Sequence, residues 1–342
     1  GQDFGRYSLR ATGDFKIGKR VKIGLTSLNQ LGITNGSQFG INVFPMITLS
    51  PLMPPYNADG SVNVKPAGNL DDKNTTYNPL LLLQNPDSWV DRVRRGTSFN
   101  SVYGEVQIID GLKYRFNGGF NWREEEGAQF RGTDSYFRPG TYNQASVDNS
   151  TGESYPMENL VIYEKTLATK HRISATGLYS IQRDRVHNTF VGKDSITADF
   201  TQFYNLALSN VTPVATLGGG ESTSTILSYM ARINYVYDDK YMITVTGRRD
   251  GSSRLGLGNK WKQYPAVSAG WVISNESFLQ SIKQISALKL RAGYGVTSNQ
   301  SVAAYSTLGG VTSGPRYNFG PTQYTGYYIN RIVDPNLDWE YT

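Results

Sequence analysis

The sequence predicts an all-β fold: an antiparallel up-and-down transmembrane β-barrel, present as an open part of about ten strands with short periplasmic turns and long extracellular loops. Three observations carry this expectation. Apolar and polar residues alternate with a period of two in segment after segment. Several of these segments run to about ten residues, the length a tilted strand needs to cross a bilayer. Short connections alternate with long ones along the chain.

Composition agrees. Among 342 residues there are 23 tyrosines and 36 glycines, and the aromatic share is 12%. With a mean hydropathy of −0.42, this is a polar chain suited to strands and loops rather than to a leucine-built helical core. Cysteine is absent, which excludes disulfides and thiolate metal sites. Lys and Arg number 34 against 28 acidic residues, a net of +6 spread along the chain, which does not point to nucleic acid. No apolar run reaches the length of a transmembrane helix, a fact that leaves a membrane barrel open. The N-terminal Gly1-Gln2-Asp3-Phe4-Gly5-Arg6 carries no basic region followed by an apolar stretch, so the sequence reads as cut at both ends.

The first strand is expected over 6–15, where Tyr7, Leu9, Ala11 and Phe15 alternate with Ser8, Arg10, Thr12 and Asp14; the second follows over 20–28. Strands over 99–109 and 112–123 come next. The latter has the clearest pattern, with Leu112, Tyr114, Phe116, Gly118, Phe120 and Trp122 set against Lys113, Arg115, Asn117, Gly119, Asn121 and Arg123. Further strands are expected over 159–167, 171–185, 225–237, 240–249, 262–273 and 288–297.

Short turns are expected near Ile17 to Lys19, at Asp110-Gly111, from Ala168 to Lys170 and at Asp238-Asp239. Long loops are expected over 29–98, 124–158, 186–224 and 250–261. This parity is the layout of an outer-membrane barrel. Between Asn275 and Ala287 the spacing of Phe278, Leu279, Ile282 and Ile285 predicts a short amphipathic helix on the turn side. Phe15, Tyr114, Tyr237 and Tyr241 fall beside the short turns, whereas Tyr7 and Trp122 fall toward the long loops, as two interfacial girdles would. Alternation alone also fits a β-sandwich with these rings in its core.

Catalytic and metal chemistry find no footing. The two histidines, His171 at a turn and His187 at the start of a loop, lack partners at ligand spacing. Glu124, Glu125 and Glu126 read as a solvated loop base, Gly218 to Gly220 as flexible loop glycines, and Asn57 to Ser61 as a plain turn. No cofactor is expected.

Longer phrases add a resemblance. Tyr235 to Tyr241 running into Arg248 to Arg254, then Tyr264 to Trp271, Asn275 to Phe278 and Leu288 to Gly295, closely resemble the barrel of the SusC/RagA family of TonB-linked (TonB-dependent) outer-membrane transporters. Pro55 to Ser61, Asn78 to Leu80 and Asp334 to Glu340 resemble other phrases of that family. The resemblance implies a plugged barrel of about 22 strands, a SusD-like surface lipoprotein as lid, energy from the TonB complex, and oligosaccharides, or less often peptides, as substrates. No plug sequence is found, so residues 1–342 are expected to form a partial barrel domain in the outer membrane of a Gram-negative bacterium, contacting outer-membrane lipids. Such a fragment, with two unpaired edges, is expected neither to insert stably nor to transport alone. A secreted β-rich glycan-binding module and a passive porin are the competing readings.

The charged phase nominates lumen-facing residues: Lys22, Lys113, Arg115, Arg172, Arg232, Arg248, Lys289 and Arg291. For substrate capture by the long loops, aromatic stacking nominates Trp89, Tyr136, Tyr142 and Tyr155.

Overall fold

The structure is a computed structural model that describes residues 3–36, 47, 49–66, 77–84, 86–137, 142–207, 216–279, 282 and 284–341. Ten consecutive strands form one sheet in chain order, every neighbour antiparallel. They are β1 (Asp3–Ile17), β2 (Val21–Asn35), β3 (Trp89–Ile109), β4 (Leu112–Arg131), β5 (Gln144–Leu167), β6 (His171–Asp194), β7 (Thr216–Tyr237), β8 (Tyr241–Ser252), β9 (Trp261–Val272) and β10 (Lys289–Gly295). Four tight turns occupy one end, where reversal at such short range needs left-handed backbone. Gly18 and Gly111 supply it, as do Ala168 with Thr169 and Asp238 with Asp239, all at positive φ. Gly111 is doubly constrained, because a Cβ there would lie 2.4 Å from the Glu164 carbonyl oxygen.

The strands are longer than the alternation indicates. β3 to β7 continue well past the expected ends, so that Glu124 to Glu126, Gly218 to Gly220 and His187, all expected in loops, lie within strands. Backbone pairing explains the difference. Once one hairpin is in register its neighbour continues the ladder whatever the side chains, and glycines are tolerated where space is short: a Cβ on Gly219 would lie 2.9 Å from the Asn188 carbonyl oxygen.

The expected helix between Asn275 and Ala287 does not form among the described residues. Its three-residue spacing is realised as successive turns, with amides of Glu276, Leu279, Ile282 and Ile285 each bonding the carbonyl three residues back. A segment this short, tied between two strands, gains too little to meet the cost of helix nucleation. Unexpected from sequence is a separate hairpin of β12 (Gly310–Phe319) and β13 (Thr322–Arg331), preceded by β11 (Ser298–Asn299), which pairs with β14 (Glu340–Tyr341).

Residues directly opposite in an antiparallel ladder share a face. One face therefore carries Leu112, Tyr114, Phe116, Phe120 and Trp122 with Val102, Val161, Ile233, Val245 and Val267. Among the described residues no second layer covers it: Phe120 is 39% exposed and Val245 51%. Near the turns, Tyr237, Tyr241 and Trp271 stack across three strands at 6.3 Å each, with His171 4.9 Å from Tyr237. Toward the other end Tyr179, Tyr229 and Trp261 follow at 5.3 and 6.1 Å, Arg249 lying over Trp261 at 5.0 Å. From Leu112 to Trp122 the chain rises about 33 Å along the strand, or about 25 Å in height at a tilt near 40°, which matches the apolar band of a barrel in lipid. Past Trp122 the same face turns charged, with Glu124 and Glu126. Among the described residues no helix is long and apolar enough to cross a membrane.

Among the described residues, the clusters of water-shielded packing lie at the loop end. Phe130 and Ala128 on β4 with Ala145 on β5 are covered by Ile196 and Phe203 from the connection after β6. Leu255 and Tyr264 are covered by Trp339. Gly256 permits the second arrangement, since a Cβ there would lie 2.1 Å from the Pro335 carbonyl oxygen.

Candidate functional site

Opposite the apolar face lies the charged one, and the register assigns all eight nominated cations to it. Arg115, Leu160, Leu178, Met230, Arg248 and Tyr264 stand in one row, Lys113, Ile162, Thr176, Arg232 and Thr246 in the next, and Arg172, Val236, Met242, Gly270 and Arg291 in a third. Lys22 is joined to the first row through Glu105, and Lys289 lies two residues from Arg291 on the same strand face.

Five of the eight meet a carboxylate: Lys22 and Arg115 share Glu105 at 3.7 Å each, Lys113 meets Glu164 at 3.4 Å, Arg172 pairs with Asp239, and Arg248 meets Asp250 at 2.9 Å. The wall is thus a partly neutralised lattice: five of the eight cations meet four carboxylates, Lys22 and Arg115 sharing Glu105, and three meet none among the described residues. Arg232 donates to Thr246 at 3.2 Å and Lys289 lies 3.1 Å from the Met242 sulfur. Arg291 makes no hydrogen bond or ion pair among the described residues.

Around Arg115 the lattice is deepest. Its guanidinium lies 4.2 Å over the Tyr103 ring and its Nε donates to Asn117 at 2.8 Å, while Asn117 donates to Glu158 at 3.0 Å. Tyr103 donates to Asp14 at 2.7 Å and its ring covers Gly24, where any Cβ would collide with it. The carboxylates Glu105, Glu158 and Glu164 escape a reading of sequence alone, because they become partners only once the cross-strand register is known.

At the turn end Glu276 ties three elements together. It accepts from Tyr241 at 2.7 Å, Trp271 at 3.0 Å and Lys240 at 3.2 Å. Those three bonds, that of Tyr241 foremost, hold its carboxyl below the usual range.

The four nominated aromatics divide. Tyr155 is not in a loop; it lies within β5 on the apolar face, 5.1 Å from Phe120, because β5 continues through the expected loop. Trp89 likewise begins β3 instead of lying in a loop, and packs edge-on to Phe137 at 5.4 Å. Tyr136 does fall in the connection after β4, but it is buried between Tyr77 and Phe137. Tyr142, in the same connection, is 52% exposed. Trp89, Tyr136 and Phe137 are thus brought together as packing, and Tyr142 alone of the four is an exposed loop aromatic. No group of three or more potential metal ligands occurs among the described residues. His171 bonds Tyr235 at 2.7 Å and His187 lies 4.0 Å from Glu221.

No family model matches the chain. Two TonB-dependent receptors of Formosa agariphila are 28% and 30% identical to it, each over 98% of this chain and 33% of the relative. The TonB-dependent receptor SusC of Bacteroides thetaiotaomicron is 38% identical over 123 residues, 35% of this chain and 12% of that protein. The chain belongs to the SusC/RagA type of TonB-dependent receptors. Its fold matches that of the RagAB peptide transporter with a TM-score of 0.82 at 18% identity, over 99% of this chain and 37% of that one. The same transporter in its open-open state gives 0.79. The chain spans about a third of the length of the curated relatives it matches. In a SusC/RagA-type barrel the two-faced sheet has a direct physical meaning: with no water available in the hydrocarbon, strand backbones pair with one another and the row of Leu112, Phe116 and Phe120 faces acyl chains. The sheet is therefore part of the β-barrel of an outer-membrane TonB-dependent receptor.

Proposed function

We propose that residues 1–342 are one barrel-wall domain of a transporter that imports oligosaccharides, with a SusD-like surface lipoprotein as lid and energy delivered from the TonB complex through a part of the protein outside this chain. One observation carries the reading: a ten-stranded sheet with an exposed apolar face and, opposite, a face rich in charge, part of it in ion pairs. A lumen wall needs that second face, because charged side chains keep a barrel interior hydrated. On this reading Lys22, Lys113, Arg115, Arg172, Arg232, Arg248, Lys289 and Arg291 face the lumen and contact the plug or the substrate route. Tyr142 is the loop aromatic placed to meet substrate at the mouth.

The family supplies the partner, the energy source and the substrate class; the solved relative named for peptide transport makes peptides the alternative cargo. The test is uptake by cells carrying the full-length protein with Arg115→Ala and Arg291→Ala together. Reduced oligosaccharide uptake, or loss of plug retention, is expected; unaltered uptake and retention would remove the role given to the charged wall.

A further inference from the structure

Near the loop end of β1, β2 and β3 the charged face has a gap. Arg6, Gly32 and Arg95 stand opposite one another in a single row, so two guanidinium-bearing strands flank a position with no side chain. Two strand spacings separate the arginine backbones, about 10 Å. Phe4 forms the wall above, its ring 3.7 Å from where a Cβ on Gly32 would lie, and Gln30 with Thr97 forms the wall below. The result is a groove of about 200 Å³. Glu125 engages only the Nε of Arg95, at 2.8 Å, and it also pairs with Arg123 at 2.6 Å, leaving the groove cationic. Arg6 is exposed and has no ion-pair partner among the described residues.

From this geometry we infer that the groove is a subsite for an acidic sugar, holding a carboxylate or sulfate substituent between Arg6 and Arg95 above Gly32. Guanidinium forks suit both anions, and their charge-assisted bonds are the strong kind. Phe4 offers a ring face to the sugar, while Gln30 and Thr97 offer an amide and a hydroxyl to its hydroxyl groups. The inference rests on the oligosaccharide reading above and narrows it to anionic cargo.

The test is calorimetric titration of the full-length transporter, copurified with its lipoprotein partner, against four probes: a uronate oligosaccharide, a sulfated oligosaccharide, a neutral oligosaccharide of equal length and an oligoglutamate peptide. At least one acidic sugar is expected to bind about 10-fold or more tightly than the neutral one, and which one names the anion. Arg6→Gln, which removes one fork, should weaken that binding about 10-fold and leave neutral sugar unchanged, and Gly32→Leu, which fills the gap, should weaken acidic binding about 10-fold. Arg10→Gln, on the same strand face but outside the groove, should change nothing. Equal affinity for acidic and neutral sugars, or acidic binding untouched by both variants, overturns the subsite while leaving sugar transport standing. Binding of the peptide with no sugar bound overturns the oligosaccharide reading itself and the subsite with it.

Discussion

Arginine placed along β8 on the apolar face should cost stability according to depth, and Val245 is the informative position. It lies midway between Tyr241, in the aromatic row beside the turns, and Arg249, which caps the opposite row through Trp261. Four residues from Tyr241 amount to about 14 Å along the strand and about 10 Å of height, close to the centre of a band about 25 Å tall. Val245→Arg should therefore destabilise the full-length protein by about 2–4 kcal/mol in phospholipid vesicles, and Tyr241→Arg by only about 0–1 kcal/mol, with Ile243→Arg between them. Guanidinium unfolding followed by tryptophan fluorescence reads all three. On a sheet facing water, such exposed substitutions would stay within about 0.5 kcal/mol of wild type. A flat series across the three positions would refute the assignment of this face to lipid.

Gly111→Ala should destabilise the β3–β4 hairpin by at least about 1 kcal/mol, because φ is +84° and the Cβ meets the Glu164 carbonyl oxygen; the same unfolding assay measures it. Glu276 has a folded-state pKa depressed below its ordinary value of 4.5, so its contribution is complete above that value and fades as pH falls through the lower folded one. The stability gap between wild type and Glu276→Gln should accordingly be full at pH 7 and shrink as pH falls below the ordinary value of 4.5; a gap constant with pH would contradict this. Phe130→Ala should open a cavity beneath Ile196 and Phe203, costing about 3–5 kcal/mol locally. Hydrogen exchange should show that cost as lost protection in 195–207, with the strands near the turns unchanged.

Class, strand count in the main sheet and the parity of turns and loops were all legible in the sequence. Each follows from local chemistry: a period of two, residues that accept left-handed backbone, and strand lengths matched to a bilayer. The eight cations were legible too, as a phase, since Lys113 and Arg115 alternate strictly with Tyr114 and Phe116 whatever the rest of the protein does. Their partners were not. Glu105 lies near Lys22 and Arg115 only because the hairpins align in one register, and register is a property of pairs of strands. For the same reason Tyr155 reads as a loop ring in sequence and is found on the apolar face, where the ladder of β4 draws β5 out beyond its alternating segment.

What the sequence determined by itself is the two-faced character of each strand, because successive side chains point to opposite sides of any extended backbone. Only the tertiary structure decided which residues meet across strands: that Arg6 and Arg95 flank the bare backbone of Gly32, that Glu276 joins Tyr241 to Trp271, and that Pro335 lies over Gly256. These contacts depend on strand register and loop closure, which many distant backbone hydrogen bonds set together and no single segment encodes.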